Sequence, residues 1–210
     1  DDHGPGSYTY PTDAVFKPGM YDILEFTVAQ EAANYVFKMK FAGQVENPWG
    51  SGNGLSPHTI DIYIDVDHRA GSGARRLLDA RNAAVSADDA WDIAIWAEGW
   101  FPGVFKVGQD GRPEKMNVEL KILTDPAAGL VTMRIPKSAL PGDPTTFGYL
   151  ALALGQDGYG PNRVRDVNPV AEQWRFGGGP SDANHTRIID VAWAGQPTQE
   201  ALLSAYKPAT

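Results

Sequence analysis

Two kinds of residue in this sequence are placed to do chemistry: acids in glycine-rich loops and aromatic rings in turns. The run Asp1-Asp2-His3-Gly4-Pro5-Gly6 sets two carboxylates beside a glycine turn with accessible carbonyls. That is oxygen-donor chemistry suited to Ca²⁺, which takes roughly six to eight oxygen ligands. Asp22, just after Gly19, is spaced to reach back to this loop, so Asp1, Asp2 and Asp22 form the preferred calcium constellation. Asp65-x-Asp67 with Gly71 suggests a second, weaker one. It is no EF-hand, because the glycine falls one place late and Arg76 stands where a bidentate Glu is required. The competing reading of all these acids is solvated turn residues.

The aromatic set comprises 6 Trp, 8 Tyr and 8 Phe. Exposed rings bind sugars by stacking on their apolar C–H faces, while nearby polar side chains bond the hydroxyls. Trp49 sits in Asn47-Pro48-Trp49-Gly50-Ser51-Gly52-Asn53-Gly54, a loop that easily presents a ring to solvent. Trp96 falls on the face opposite Trp91, Ile93 and Ile95, and Trp100 and Tyr159 lie in or near turns. Trp49, Trp96, Trp100 and Tyr159 are therefore the candidate carbohydrate-binding residues, against the alternative that each ring packs in the core or its rim.

Catalytic signatures are missing from the sequence. It contains no Gly-x-Ser-x-Gly elbow, no His-Glu-x-x-His and no Walker loop. Gly177-Gly178-Gly179 lacks the Lys-Ser/Thr of a phosphate loop and reads as a tight turn. His3, His58, His68 and His185 show no metal spacing and read as surface residues. A glycosidase carboxylate pair needs only to meet in space, so 26 acidic residues leave that possibility open. With no cysteine, disulfides, thiolate zinc sites and cysteine nucleophiles are excluded. A net charge of −8 makes nucleic acid and anionic lipid poor partners, and no apolar run approaches the ~20 residues of a membrane span. The opening Asp-Asp-His-Gly reads as the middle of a loop, as expected of one module excised from a larger secreted protein.

The elements that must position these residues are strands. Tyr35, Phe37, Met39 and Phe41 alternate with polar positions, as do Leu24, Phe26 and Val28, and Ile60, Ile62 and Ile64. Trp91, Ile93 and Ile95 behave likewise, followed by Val118, Leu120 and Ile122, then Val131, Met133 and Ile135. Such alternation marks half-buried antiparallel strands. Residues 147–154 are apolar on both faces and predict a central strand, and 186–193 predict another. Residues 198–206 predict the one clear helix, with Thr198 as N-cap and Glu200 in its first turn. A short helical turn is possible at 86–90. Glycines and prolines scattered as punctuation complete the pattern of an all-β antiparallel sandwich, residues 1–210 forming a single module with a short C-terminal helix.

Several linked segments carry a resemblance. Asp1–Thr12 followed by Phe16-Lys17-Pro18-Gly19-Met20-Tyr21-Asp22-Ile23 is similar to the start of the C-terminal module of glucodextranase, which also occurs in amylopullulanase-type proteins. Tyr63-Ile64-Asp65, Gly71-Ser72-Gly73, Trp91, Gly99-Trp100, the Gly155–Gly160 run, Trp174–Gly179 and Ile189-Asp190-Val191 continue the pattern in order along nearly the whole chain. The stretch 74–82 departs from it in being more charged. The resemblance implies a DOMON-like, family-9-carbohydrate-module-like sandwich at the cell surface. It also implies a non-catalytic module that accompanies an α-glucan-degrading enzyme and binds α-glucan, cell-wall polysaccharide or surface-layer components. Buried acids in the matching segments need partners. Asp157 and Asp190 are suited to bonding backbone turns, with Arg163, Arg165 and Arg175 available as ion-pair partners. The alternatives are a haem-binding electron-transfer sandwich, with Met20 or Met116 and His58 as axial ligands, and a purely structural spacer.

Overall fold

A computed structural model describes residues 1–182, 184–192 and 198–204. The architecture is the expected all-β sandwich. Among the described residues ten strands run β1 (Ile23–Gln30), β2 (Asn34–Phe41), β3 (His58–Asp65), β4 (Ile93–Glu98), β5 (Gly103–Val107), β6 (Pro113–Lys115), β7 (Lys121–Asp125), β8 (Leu130–Pro136), β9 (Gly148–Gly155) and β10 (Ile188–Ala192). They form a four-stranded sheet, order β1-β2-β8-β7, and a six-stranded sheet, order β10-β9-β3-β4-β5-β6, with every pairing antiparallel. One helix, α1 (Gln199–Ser204), follows, its first turn capped by Thr198 Oγ1 accepting from the Ala201 amide. Residues 205 and 206 of the expected helix and Trp193 of the expected last strand lie outside the described residues. No described helix is long and apolar enough to cross a membrane.

The alternating positions meet between the sheets. Tyr35, Phe37, Met39 and Phe41 of β2, with Val131, Met133 and Ile135 of β8, face Ile60, Ile62 and Ile64 of β3, Ile93 and Ile95 of β4, and Ala151 and Ala153 of β9. At about 25 cal/mol per Å² of apolar surface removed from water, this layer supplies the main driving force of folding.

Several expectations need correction. Leu24 does not share the inward face with Phe26 and Val28. A bulge between Ile23 and Glu25 adds one residue to β1, so Ile23 turns inward opposite Phe41 and Leu24 is exposed. β3 is not half-buried, because all eight of its residues are covered. Val118 and Leu120 precede β7 rather than belong to it, although both still pack on the core. Residues 86–90 form a turn, not a helix, tied by Ser86 Oγ, which donates to Asp89 and accepts from the Asp88 amide.

β3 is covered twice because the segment 74–91 folds over the outer face of the six-stranded sheet. Leu77, Leu78, Ala83 and Trp91 pack there on Tyr63, Ala94, Leu152 and Leu154. Trp91 thus lies on the outer side, not beside Ile93 and Ile95. The charged stretch supplies the fastening: Arg81, 1% exposed, makes a bidentate pair with the fully buried Asp61, Nε to Oδ2 at 2.7 Å and Nη2 to Oδ1 at 3.0 Å. Tyr63 donates to the same Oδ2 at 2.9 Å. A buried charge stripped of its partner typically costs about 3–5 kcal/mol, whereas apolar replacement of both partners is often tolerated. Arg81→Met is therefore expected to lower unfolding stability by about 3–5 kcal/mol in urea titrations, and Asp61→Leu/Arg81→Met to recover most of the loss. A double variant no more stable than Arg81→Met would show that the pair is not the fastening.

Candidate functional site

The register of the six-stranded sheet decides which loops meet. His58 at the start of β3 pairs with Gly155 at the end of β9, Thr59 with Glu98 at the end of β4, and Trp96 with Gly103 at the start of β5. The loop entering β3, the β4–β5 turn and the loop leaving β9 therefore share one end of the sandwich. There they enclose a groove of about 800 Å³, within the size range of ligand sites. Its lining includes Trp49, Trp100, Phe101, Tyr159 and Trp174, with Gln156, Asp157, Arg163, Arg165 and Arg175 among them.

Each ring is fixed by local chemistry. Asn47 organises the Trp49 loop: its Oδ1 accepts from the Ser51 amide at 2.8 Å and its Nδ2 donates to the Ser51 carbonyl at 3.0 Å. Asn53 ties that loop to the β4–β5 turn by donating to the carbonyls of Glu98 and Gly99. Trp49 and Trp174 meet edge to face, centroids 6.1 Å apart, and both touch Phe16 beneath. Trp49, Trp100 and Trp174 remain between 37% and 38% exposed, and Tyr159 is 99% exposed. A ring that exposed contributes almost nothing to folding.

The polar floor is built on arginines. Arg165, 4% exposed, donates from Nη1 to the Trp174 carbonyl at 2.5 Å and from Nη2 to the Gln156 carbonyl at 2.6 Å. Its guanidinium lies over the Phe16 ring at 4.9 Å and near Trp49 at 5.8 Å. Burial pushes its pKa down, and the Asp157 carboxylate opposes that shift. Gly155 makes the seat possible, because a Cβ there would collide with Phe176 and Arg165. Asp157 accepts from the Tyr159 amide at 2.9 Å through Oδ1, and its Oδ2 lies 2.6 Å from Arg175 Nη1. Arg163 stacks 3.4 Å over Phe101 and approaches the buried Glu98 at 3.5 Å; Glu98 also accepts from the Phe101 amide.

Of the four aromatic candidates, Trp49, Trp100 and Tyr159 line this one groove. Trp96 does not: it lies on the outer face of the six-stranded sheet, half-buried between Arg81, 4.8 Å over its ring, and Phe105. Sequence reasoning missed Trp174 and Phe101. Trp174 lies in one of the segments carrying the family resemblance, and Phe101 follows Trp100 in the same turn.

The acidic candidates meet only in part. The Asp1 ammonium lies 3.6 Å from Asp22 Oδ1 and 3.7 Å from Asp190 Oδ1, the Asp1 carboxylate accepts from Gln199, and Asp2 accepts from Tyr10. Asp190 holds the β1 entry, its Oδ2 accepting from the Ile23 amide at 2.5 Å. Asp1, Asp2 and Asp22 are not among the close groups of three metal-ligating side chains found in the described residues. The carboxylate cluster among the described residues is Asp65, Asp67 and Asp92, one oxygen of each within 4.8 Å of the others. Asp65 Oδ1 already accepts from the amides of Asp67 and His68, and Asp92 Oδ2 from Val66. The histidines are not uniformly on the surface. His58 is fully buried between Tyr21 and Phe41 and bonds the Met20 carbonyl through Nε2 at 2.7 Å. That packing commits it to the core, where the haem reading needs an axial ligand.

The fold and the groove define a β-sandwich binding module. The chain belongs to the family of C-terminal, SLH-like binding modules of glucodextranase, whose family model matches residues 1–210. No curated protein matches it.

Two buried groups give a pH test. Burial pushes His58 down to about 4, so the unfolded chain takes a proton below 6.5 that the folded chain refuses, and stability is lost as pH falls from 6.5 towards 4. Burial raises Asp190 to about 6, so the folded chain takes its proton first, and stability is gained as pH falls from 6 towards 3.8. Each effect is worth about 3 kcal/mol, and they oppose each other. Asp190→Asn should leave the His58 loss uncompensated. Its urea midpoint should fall more steeply between pH 7 and pH 4 than that of the wild type; parallel pH profiles would refute the assignment.

Proposed function

We propose that the groove binds polysaccharide, holding an α-glucan-degrading enzyme on α-glucan or cell-wall polysaccharide at the cell surface. The observation that carries this reading is the convergence of five exposed rings, from the loop entering β3, the β4–β5 turn and the β9–β10 connection, on one polar floor. Rings set at 62° to one another give a curved wall rather than a flat plate, a shape that follows a bent chain of sugar rings. Electrophoresis of the module through gels containing starch, pullulan, dextran or cell-wall polysaccharide tests the reading. Retardation in one gel is expected. Tyr159→Ala and Trp100→Ala should weaken it about tenfold each while leaving the melting temperature nearly unchanged. Retardation that survives both substitutions would locate binding elsewhere.

The same reading places structural calcium at Asp65, Asp67 and Asp92, at the end of the six-stranded sheet away from the groove. The Asp92 pKa is raised by burial first, then by the neighbouring charges of Asp67 and Asp65. A divalent cation relieves that repulsion. Calcium is expected to raise the melting temperature by binding linkage, and Asp92→Asn to abolish the increment. An identical melt in calcium and in chelator would remove the metal.

A further inference from the structure

Two buried polar atoms of residues that line the groove have no hydrogen-bond partner: Asp157 Oδ2, an acceptor, and Arg165 Nε, a donor. Both side chains are more than nine-tenths buried and both line the groove. Asp157 Oδ2 does have Arg175 Nη1 at 2.6 Å and Arg165 Nη1 at 3.9 Å, but neither contact is directed as a hydrogen bond. Leaving such groups unmatched in a buried site is costly, and a ligand that matches them recovers the cost.

The chemistry of the pair selects the ligand. A carboxylate or phosphate brings only acceptors and would face the Asp157 charge. An ammonium brings only donors and would face Arg165. Adjacent hydroxyls satisfy both, because each donates and accepts. The other cations are already engaged: Arg163 with Glu98 and the face of Phe101, and Arg175 with Asp157 and the Trp174 carbonyl. Arg175 lies against Oδ2 and is itself 29% exposed, against 4% for Arg165, so of the two arginines beside Asp157 it is the one a ligand can displace.

We infer that Asp157 and Arg165 read two neighbouring hydroxyls of an uncharged sugar, with Arg175 as a displaceable cover. This rests on the groove being the glycan site. Isomaltotriose, maltotriose and cellotriose serve as neutral probes and trigalacturonic acid as the acidic one, titrated calorimetrically into the whole module. At least one neutral trisaccharide should bind in preference to the acid. Asp157→Asn should weaken it about 10- to 100-fold, the range for a lost hydrogen bond to a charged group. Arg175→Ala should tighten it, because the cover no longer has to be displaced. If Asp157→Asn does not fold, monodeoxy derivatives of the bound trisaccharide test the same contact on the wild type. One deoxy position should then lose a similar factor. Preference for the acid with loss of binding in Arg175→Ala, or full affinity in Asp157→Asn, or no sensitive deoxy position, would overturn the inference while sparing the groove. Binding that persists in Trp49→Ala/Trp174→Ala, or absence of binding to every probe by the wild type, would overturn the groove reading and the inference together.

Discussion

The buried guanidinium of Arg165 is the constraint on which the groove depends. A cation out of water must be surrounded by acceptors, and here those acceptors are carbonyls from two different loops, at Gln156 and Trp174. The same group lies against Phe16 from the N-terminal segment and Trp49 from the loop entering β3. One side chain therefore touches four stretches of chain, adding to the backbone bonds that tie the N-terminal segment to residues 172–177 and Gln156 to Pro57. Its own position follows from β9, because Gly155 leaves the space a side chain would take. A groove held this way is ordered before any ligand arrives, so little entropy is lost on binding.

The second buried arginine explains why the groove sits at an end of the sandwich rather than on a sheet face. Arg81 pins the segment 74–91 over the outer face of the six-stranded sheet by pairing with Asp61. With its other face against the four-stranded sheet, the central strand β3 of the larger sheet is covered on both sides. The strand-end loops remain, and the register gathers them. Of the charged residues in 74–82, Arg81 thus serves packing, while Arg75, Arg76 and Asp79 stay exposed.

Legibility followed the reach of each physical rule. Alternation located β2 and β8 and their inward faces because side chains of a regular strand reverse at every residue. It failed at Leu24, where a bulge breaks the period, and at Trp91, which precedes β4 and belongs to the other layer. Turn context brought out Trp49, Trp100 and Tyr159, since rings beside glycines and prolines have little core to enter. It had no hold on Trp174, whose place in the groove depends on a carbonyl contact to Arg165. Asp65 and Asp67 stood out as neighbours in sequence, but Asp92 joins them only because β3 and β4 pair, 25 residues beyond Asp67 in the chain. Periodicity reveals faces; it does not reveal which loops a register brings together.

The electrostatics of the groove are consistent with its shape. The chain carries a net charge of −8, yet three arginines line the groove. Their charge is largely spent inside the protein: Arg163 on Glu98, Arg165 and Arg175 on Asp157. A site built to capture anions leaves its cations unpaired and surrounds them with positive potential. Here the acidic surface repels anionic polymers at long range, and paired arginines offer them little at short range. What the groove presents instead is aromatic surface and a matched donor and acceptor, the combination that an uncharged hydroxylated ring can satisfy completely.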